Sequence, residues 1–371
     1  MIRAAIVGLG WWGKTIVEAV QGKSDQISFV AANTRTRAKV EDFCRDKKIQ
    51  LHDSLDDILK DRNIDAVVYT TPHSKHEEHV KRAAQAGKHV CMEKPFTLTA
   101  ASARAAIEAV RKAGVVLAVD FQRRFHPSVG EIRKRVRDGS LGPISFCVGE
   151  VSTPSGLALP KESWRVNPQE TPAGAMTGLG VHLVDCFIDL CGEVEEVYCI
   201  NARRAAPLVD DTTVFTMKHK NGVISTNYCT LASAASYCIA VFGKNGIAET
   251  ARPSLDTFRF MPVAAQGGPH ATAQPEVIEN KGFNQVKAVM EAFAAAAQGG
   301  APYPVTHDQI IHGVAVFEAI VKSAKTGQPV RVSRQSWGTT RQELLRLIYF
   351  NTFPDGLFPK YCDRKILHDR Y

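Results

Sequence analysis

The chain has 371 residues, with 46 Lys plus Arg against 38 Asp plus Glu and a formal net charge of +8. This length predicts about two domains, each large enough to bury its own core. Hydrophobic residues make up 44% and charged residues 23%, which excludes a disordered chain. No apolar run approaches the roughly 20 residues that cross a bilayer, and the first residues read as a strand and turn rather than a signal peptide. We therefore expect a cytoplasmic protein with no membrane partner.

The cysteines and the excess positive charge both fit an ordinary globular protein. No two of the nine cysteines form a C-x-x-C pair, so the sequence supports neither a zinc ribbon nor a redox pair, and we expect reduced thiols. Part of the positive charge lies in residues 331–371, which hold eight Lys/Arg and four Asp/Glu. No helix-turn-helix pattern or aromatic-interleaved basic stripe accompanies it. We expect a solvated basic tail and no nucleic-acid partner.

Residues 1–122 alternate β-prone apolar runs with amphipathic helical stretches, which predicts an α/β domain with a parallel sheet. The expected strands are 3–7, 27–32, 65–70, 89–92 and 115–119. Several of the helices between them end at a glycine suited to a left-handed cap, namely Gly22, Gly87 and Gly114.

Beyond residue 122 the pattern changes to a loop-rich stretch and then clustered strands, which predicts an α+β domain over 123–333 with a largely antiparallel open sheet. The expected elements are a helix at 177–191, strands at 195–200, 212–219, 223–230 and 237–242, and helices at 285–298 and 307–325. We expect this domain to bind substrate and to form a homodimer or homotetramer. Residues 334–371 form an aromatic C-terminal extension that we expect to pack on the body or on a neighbouring subunit.

A glycine-rich string, G-x-G-x-x-G, follows the first strand and opens a helix. Gly8 allows the tight turn, Gly10 lets the backbone approach a pyrophosphate, and Gly13 lets the helix pack closely, with Trp11 and Trp12 between them. The helix amino end supplies N–H groups and a positive dipole. This context predicts a doubly wound Rossmann domain that binds a dinucleotide. The alternative is a plain tight turn.

The residues after the second strand indicate which dinucleotide is bound. NAD-binding domains usually carry an acidic side chain about 20 residues past the glycines. Here Thr34 and Arg35 occupy that region, and no carboxylate appears before Glu41. Because a guanidinium pairs bidentately with phosphate, this pattern favours NADP(H), with NAD(H) possible. The alternative is that Arg35 and Arg37 only solvate the start of the next helix.

Four further segments carry a resemblance. They are 71–76 (TPHSKH), 86–95 (AGKHVCMEKP), 122–125 (QRRF) and 174–185 (GAMTGLGVHLVD). In this order, and together with the glycine loop, they resemble the Gfo/Idh/MocA family of nicotinamide-dependent oxidoreductases over residues 1–333. The Glu-Lys-Pro string is the most specific element. The resemblance implies a cis Lys94–Pro95 peptide. It also implies that further residues line the cofactor site, namely Thr71, Pro72, His76, Glu93, Lys94 and Gln122.

Lys94 is the main candidate for the chemistry. It follows a strand at the carboxyl edge of the sheet, where open α/β folds place ligands. There it can hydrogen-bond a substrate oxygen and, with a depressed pKa, exchange a proton with it. On the residues alone, a surface lysine paired with Glu93 is the more ordinary interpretation. The resemblance reverses that preference.

The helix at 177–191 carries a second candidate, His182. Gly178, His182 and Asp185 fall on one helix face, and Asp189 continues it. The family places an Asp four residues before the His, where it completes a proton-transfer trio with the Lys. Here that position is Gly178. Asp185 could partly replace the missing carboxylate, or the site performs little proton relay, or His182 is only a satisfied polar residue.

The remaining candidates concern the substrate. By resemblance, the residues that line the interdomain cleft are Arg123, Arg124, Trp164 and Arg165. An arginine there could clasp a carboxylate and a tryptophan could stack on a sugar. Trp164 could equally plug a loop. His73, His76 and His79 share part of a helix face, but no cysteine or carboxylate is in register with them, so we expect no metal.

Together these features predict an NAD(P)-dependent dehydrogenase or reductase that acts on an alcohol/carbonyl pair of a polar small molecule. Sugars, cyclitols and hydroxy-carboxylates are the expected substrate types. In this scheme Lys94 is the main acid/base and His182 assists it. Two alternatives remain: a glycosidase-like enzyme of the same fold that retains its nucleotide, and a catalytically lapsed ligand-sensing module, to which Gly178 points.

Overall fold

The computed structural model describes residues 1–266, 268 and 270–333 of the chain. Residues 1–333 form one compact unit. The predicted packing of the 334–371 extension lies outside the described residues.

The first sheet contains six parallel strands. In chain order they are β1 Ile2–Val7, β2 Ile27–Asn33, β3 Gln50–Leu51, β4 Ala66–Tyr69, β5 His89–Met92 and β6 Leu117–Val119. Their spatial order is β3-β2-β1-β4-β5-β6. The order reverses between β1 and β4, and such a reversal opens a ligand crevice at the carboxyl edge of a doubly wound sheet. The predicted parallel sheet is confirmed, and the two-residue β3 was missed.

Five helices connect these strands and cover the sheet: α1 Trp11–Val20, α2 Glu41–Lys47, α3 Leu55–Lys60, α4 His76–Gln85 and α5 Ala100–Ala113. The caps of α5 show how the sequence sets its ends. Thr99 Oγ1 accepts a hydrogen bond from the Ser102 amide at 3.2 Å, and the helix stops at Gly114, whose φ is +66°. Gly22 and Gly87 also adopt the predicted left-handed conformation.

The second sheet contains nine strands within the described residues. They are β7 Ile144–Ser152, β8 Val194–Ala202, β9 Thr212–His219, β10 Ile224–Thr230, β11 Ser236–Gly243, β12 Gly246–Thr250, β13 Thr257–Pro262, β14 Glu276–Glu279 and β15 Val330–Arg331. The spatial order is β14-β13-β12-β11-β7-β10-β9-β8-β15. All pairings are antiparallel except that of β7 with β10. The predicted, largely antiparallel sheet is confirmed, but β7, β12, β13, β14 and β15 were not predicted.

Four more helices complete the described unit: α6 Pro127–Arg137, α7 Val181–Cys191, α8 Gln285–Ala297 and α9 His307–Thr326. Apolar side chains of α7 and much of α9 pack in the core of the second sheet, whereas those of α8 pack in the core of the first. A π-helical segment, Met176–Gly180, runs directly into α7. Such segments are frequent at functional sites.

Two of the expectations about composition can be set against the structure. Within the described part of the chain, no helix is long and apolar enough to cross a membrane. The eight cysteines found there are buried and form no disulfide.

Candidate active site

The three glycines of the loop between β1 and α1 have different surroundings. Gly8 has a φ of +100°, and a Cβ there would lie 2.8 Å from the Thr70 carbonyl oxygen. A Cβ on Gly13 would lie 2.3 Å from the Gly8 carbonyl oxygen. A Cβ on Gly10 would meet nothing within 4 Å. Gly8 and Gly13 are therefore required by packing, whereas Gly10 borders open space.

The amino end of α1 continues this cradle. Gly10 is the N-cap, no side chain caps the helix, and its first turn carries no acidic residue, so its N–H groups stay available. Trp11 is 75% exposed and its ring lies 5.3 Å from that of Trp12. Free N–H groups, the helix dipole and the open space beside Gly10 fit the pyrophosphate of a dinucleotide.

The residues after β2 differ in how they are engaged. Thr34 is half-buried, and Arg35 is exposed. No hydrogen bond or ion pair joins the Arg35 side chain to another residue in the described ranges. Arg37, by contrast, forms an ion pair with Asp53. The alternative that the arginines only solvate the protein surface therefore fits Arg37. The guanidinium of Arg35 is available to bind a phosphate.

His76 lies deeper than we expected of a cofactor contact. It is fully buried, and its ring nitrogens lie 3.0 Å from the carbonyl oxygens of Thr71 and Pro95. Burial lowers its pKa. His76 therefore ties the segment that begins at the half-buried Thr71 and Pro72 to the loop after β5. Its predicted contact with the cofactor is corrected to this indirect role, because no part of its side chain reaches the surface.

The other two histidines of this segment are also engaged. His73 Nδ1 lies 2.6 Å from the Glu170 carbonyl oxygen, and His79 Nδ1 lies 3.0 Å from Thr71 Oγ1. Among the described residues, no group of three or more His, Cys, Asp or Glu is arranged to hold a metal ion.

Glu93 and Asp120 form a carboxyl pair at the carboxyl edge of the first sheet. The Trp12 indole donates to Glu93 Oε1 and, at 3.3 Å, to Asp120 Oδ2. Burial and the neighbouring Asp120 raise the pKa of Glu93 well above its usual range, and burial raises that of Asp120. Both shifts favour a proton shared between the two carboxyls. Sequence reasoning missed Asp120, although its place directly after β6 was the available signal.

This pair predicts a pH-dependent effect of Glu93→Gln on stability. Because the folded state raises the Glu93 pKa, it keeps a proton that the unfolded chain releases, so stability falls as the pH rises above the unfolded pKa. Glutamine donates to Asp120 without titrating. We expect the melting temperature of the variant to match that of the wild type near pH 5 and to exceed it increasingly toward pH 8.

Glu108→Gln, at an exposed position of α5, serves as the control and should leave the pH profile unchanged. Parallel melting curves for Glu93→Gln and the wild type across this range would contradict a proton shared by the pair.

Lys94 connects the end of β5 in the first sheet to the π-helical segment that precedes α7. The Lys94–Pro95 peptide is cis, as the resemblance implied. The ammonium donates to the Gly178 carbonyl oxygen at 2.8 Å, rather than pairing at the surface with Glu93. Burial lowers the Lys94 pKa, Glu93 opposes that change, and the charges of Arg165 and Arg123 reinforce it. The side chain is thus a partly desolvated ammonium beside the π-helical segment.

His182 and Gln122 are both buried, and each has a polar atom with no partner among the described residues. These atoms are Nδ1 of His182 and Oε1 of Gln122. Burial lowers the His182 pKa well below its usual range, and the nearby charges of Lys94 and Arg123 lower it further. The imidazole is therefore neutral at physiological pH, with one nitrogen able to accept a proton or a hydrogen bond.

Asp185 does not support His182 as we expected. Its carboxylate accepts from Arg124 Nε at 3.0 Å and Nη2 at 2.5 Å, and both side chains are buried. Arg124 Nη1 also donates to Gln309 at 2.9 Å and lies 3.6 Å from Asp189. Because the charges of Asp185 and Arg124 are already paired within this buried network, the two residues have a structural role. The assignments of Asp185 as catalytic and of Arg124 as substrate-binding are both corrected.

Trp164 and Arg165 lie on the loop after β7. Hydrogen bonds and a ring contact join this loop to the segment that follows β4 in the first sheet. The Glu170 carboxylate accepts from the Ser74 amide at 3.0 Å and from its hydroxyl. The Trp164 ring meets the His73 ring edge-on at 4.9 Å, and the Arg165 guanidinium lies 4.3 Å from the centroid of the Trp164 ring. Trp164 thus both closes the loop and supports Arg165, which lies close enough for its charge to lower the Lys94 pKa.

Two family models match the chain. Residues 2–121 match an oxidoreductase family with an NAD-binding Rossmann fold, and residues 129–249 match the GFO/IDH/MocA C-terminal domain. Together these regions cover more than half of the chain.

Two curated relatives come from Bacillus subtilis (strain 168). An NAD(+)-dependent scyllo-inositol 2-dehydrogenase is 33% identical over 39% of this chain and 43% of its own length. An NADP(+)-dependent scyllo-inositol 2-dehydrogenase, IolW, is 31% identical over 52% of each chain. A solved structure of levoglucosan dehydrogenase, in complex with NADH and levoglucosan, has the same fold. Its TM-score is 0.78 at 21% identity, and the match covers 90% of this chain and 100% of the other. With both of its family models matched, this chain belongs to the Gfo/Idh/MocA family of NAD(P)-binding oxidoreductases.

Proposed function

We propose that this oxidoreductase interconverts an alcohol and its carbonyl on a polyhydroxylated small molecule, with NADP(H) as the cofactor. The observation that carries the proposal is that Lys94, at the carboxyl edge of the first sheet, binds the Gly178 carbonyl four residues before a neutral, buried His182 and lies close enough for its charge to lower the His182 pKa. The relatives include inositol dehydrogenases and a levoglucosan dehydrogenase, which supports a polyol substrate.

The cofactor would lie along the crevice at the switch point of the first sheet. Gly10 and the amino end of α1 would hold its pyrophosphate, and Thr34 with Arg35 would hold the ribose phosphate. A bound nicotinamide supplies the hydride acceptor or donor. The other requirements of the reaction fall to side chains of this chain.

Lys94 and His182 would together bind the reacting oxygen and transfer its proton. The Lys94 ammonium donates a hydrogen bond to the reacting oxygen and stabilises negative charge that develops on it. Its lowered pKa makes proton exchange with that oxygen easier near neutral pH. His182, neutral and with Nδ1 unpartnered, assists by accepting a proton or a hydrogen bond. In the oxidising direction the hydroxyl proton leaves to the neutral His182, or to Lys94 in its uncharged amine form, as the carbonyl forms.

Arg35→Ala tests the cofactor preference. A charge-assisted contact to the ribose phosphate is lost, so the dissociation constant for NADPH should rise by about ten- to hundredfold, while that for NADH stays unchanged. Isothermal titration calorimetry with each nucleotide measures both constants.

Arg45→Ala is the matched control, because Arg45 lies in the same domain on α2 and, among the described residues, forms an ion pair only with Asp42. Wild-type protein that binds NADH and NADPH equally well, or an Arg35 variant that weakens both alike, would refute the preference for NADP(H).

A screen of sugars and cyclitols with NADP(+) and NAD(+) tests the proposed reaction. We expect at least one polyol to produce the absorbance of the reduced nicotinamide, faster with NADP(+). If the protein binds the nucleotide but reduces none across the panel, the proposed reaction is wrong.

A further inference from the structure

Positive charge predominates around Lys94. Arg123 and Arg165 both lie close enough for their charges to lower the Lys94 pKa, and His182 adds no negative charge. The acids nearby are Glu93 and Asp120, and both already accept the Trp12 indole N–H. Even with both carboxyls ionised, these two acids face three cations, so they balance only part of the charge of Lys94, Arg123 and Arg165.

Neither arginine forms an ion pair with a carboxylate within the described residues. The Arg123 guanidinium lies 5.0 Å from the centroid of the Tyr237 ring, and its buried Nε makes no hydrogen bond. Arg165 stacks on Trp164 and forms no ion pair in this part of the chain. Arg124, the residue after Arg123, differs from both because two carboxylates lie beside its guanidinium. A guanidinium stacked by its face keeps its N–H edge available for a carboxylate.

Gly178 leaves space beside this positive charge. A Cβ there would meet only Leu231 Cδ2, at 3.8 Å, and its φ lies outside the left-handed region. Gly180, two residues on, differs: its Cβ would lie 2.5 Å from Met176 Sδ. Neither the backbone nor packing among the described residues therefore requires glycine at 178. Gly178 thus lacks a side chain at the residue whose own carbonyl oxygen accepts a hydrogen bond from Lys94.

We propose that the substrate is an acidic polyol whose carboxylate is bound by Arg123 and Arg165 while Lys94 holds the reacting oxygen. The role of Lys94 rests on the proposed function, whereas the carboxylate site does not. A planar carboxylate matches the fork of a guanidinium and supplies the negative charge that the cleft lacks. The absence of a side chain at Gly178 keeps a competing carboxylate out of the site.

Binding of matched acid and neutral ligands tests this assignment. NADPH-loaded protein is titrated by calorimetry with D-glucuronate and D-glucose, D-galacturonate and D-galactose, and D-gluconate and D-glucitol. We expect the acid of at least one pair to bind about ten- to hundredfold more tightly than its neutral partner. Glucose 6-phosphate forms a separate arm, and binding of this phosphate in preference to every carboxylate would overturn the assignment.

Three variants locate the site. Arg123→Gln and Arg165→Gln should each reduce the acid preference about tenfold or more and leave binding of the neutral ligand unchanged. Gly178→Asp should weaken binding of the acid by repulsion. Arg62→Gln, at an exposed position after α3, is the control and should keep the full preference. Equal binding of acids and neutral ligands, no binding of any acid, or arginine variants that keep the preference would each overturn the inference.

The outcome separates this inference from the proposed function. Tight binding of an acid without reduction of NADP(+) by any ligand would leave the carboxylate site standing and reject the proposed reaction. Turnover of neutral polyols that bind as tightly as the acids would reject the carboxylate site and support the reaction.

Discussion

Replacing Lys94 by methionine should reduce the turnover number by about 10²–10⁴-fold on whichever polyol the wild type oxidises, because a positioned acid/base group is lost. Methionine is similar in length and uncharged, and it forfeits the hydrogen bond to the Gly178 carbonyl. The nucleotide dissociation constant should change little, since the glycine loop and the amino end of α1 are untouched. Steady-state kinetics and calorimetry on the same preparation separate the two effects.

Lys112→Met, at an exposed position near the end of α5, is the control for removing a lysine charge. It should retain wild-type turnover. If Lys94→Met also retained turnover, the acid/base role would belong to another group, and His182 would be the next candidate.

The second large effect concerns stability. Asp185→Asn should destabilise the protein by about 3–5 kcal/mol, because it leaves the buried Arg124 guanidinium without its main counter-charge. The double variant Arg124→Met/Asp185→Leu should recover much of that loss, since neither charge then remains buried. Urea denaturation of the nucleotide-free protein gives the free energy of unfolding for each variant.

Asp42→Asn provides the matched control. Asp42 forms an exposed ion pair with Arg45, so its loss should change the free energy of unfolding by less than about 1 kcal/mol. If Asp185→Asn cost no more than Asp42→Asn, the buried network would not be the structural element that we describe.

The regular elements could be predicted because their patterns are local. The predicted strand 212–219 coincides with β9, where buried and exposed side chains alternate as the period of a strand requires. β7 was missed for a physical reason. It contains Gly149, where a Cβ would lie 2.8 Å from Phe187 Cε2, so the glycine is there to let α7 approach. That close contact is tertiary and leaves no trace in local periodicity.

The candidate site was predictable where a motif fixes the backbone and less so where a contact is long-range. The glycine loop followed from a short string of sequence, and the cis Lys94–Pro95 peptide followed from the family resemblance. The partner of Asp185 did not, because Arg124 lies 61 residues away in the chain. Spacing on one helix face suggested that Asp185 serves His182, but helical periodicity cannot show which neighbouring element supplies a counter-charge. Asp120 was missed for the same reason, since its importance comes from Glu93 on the adjacent strand.

The most direct test of the proposed reaction follows deuterium from NADPH that carries deuterium at both positions of the reactive ring carbon, because an enzyme transfers only one of the two. Wild-type protein is incubated with labelled NADPH and a panel of keto derivatives of neutral and acidic polyols, and the products are analysed by mass spectrometry. We predict that at least one product alcohol gains a single carbon-bound deuterium and that Lys94→Met largely abolishes this transfer. Labelled nucleotide that binds but keeps its deuterium across the panel would contradict the account. So would cleavage of a glycoside without loss of label from the nucleotide.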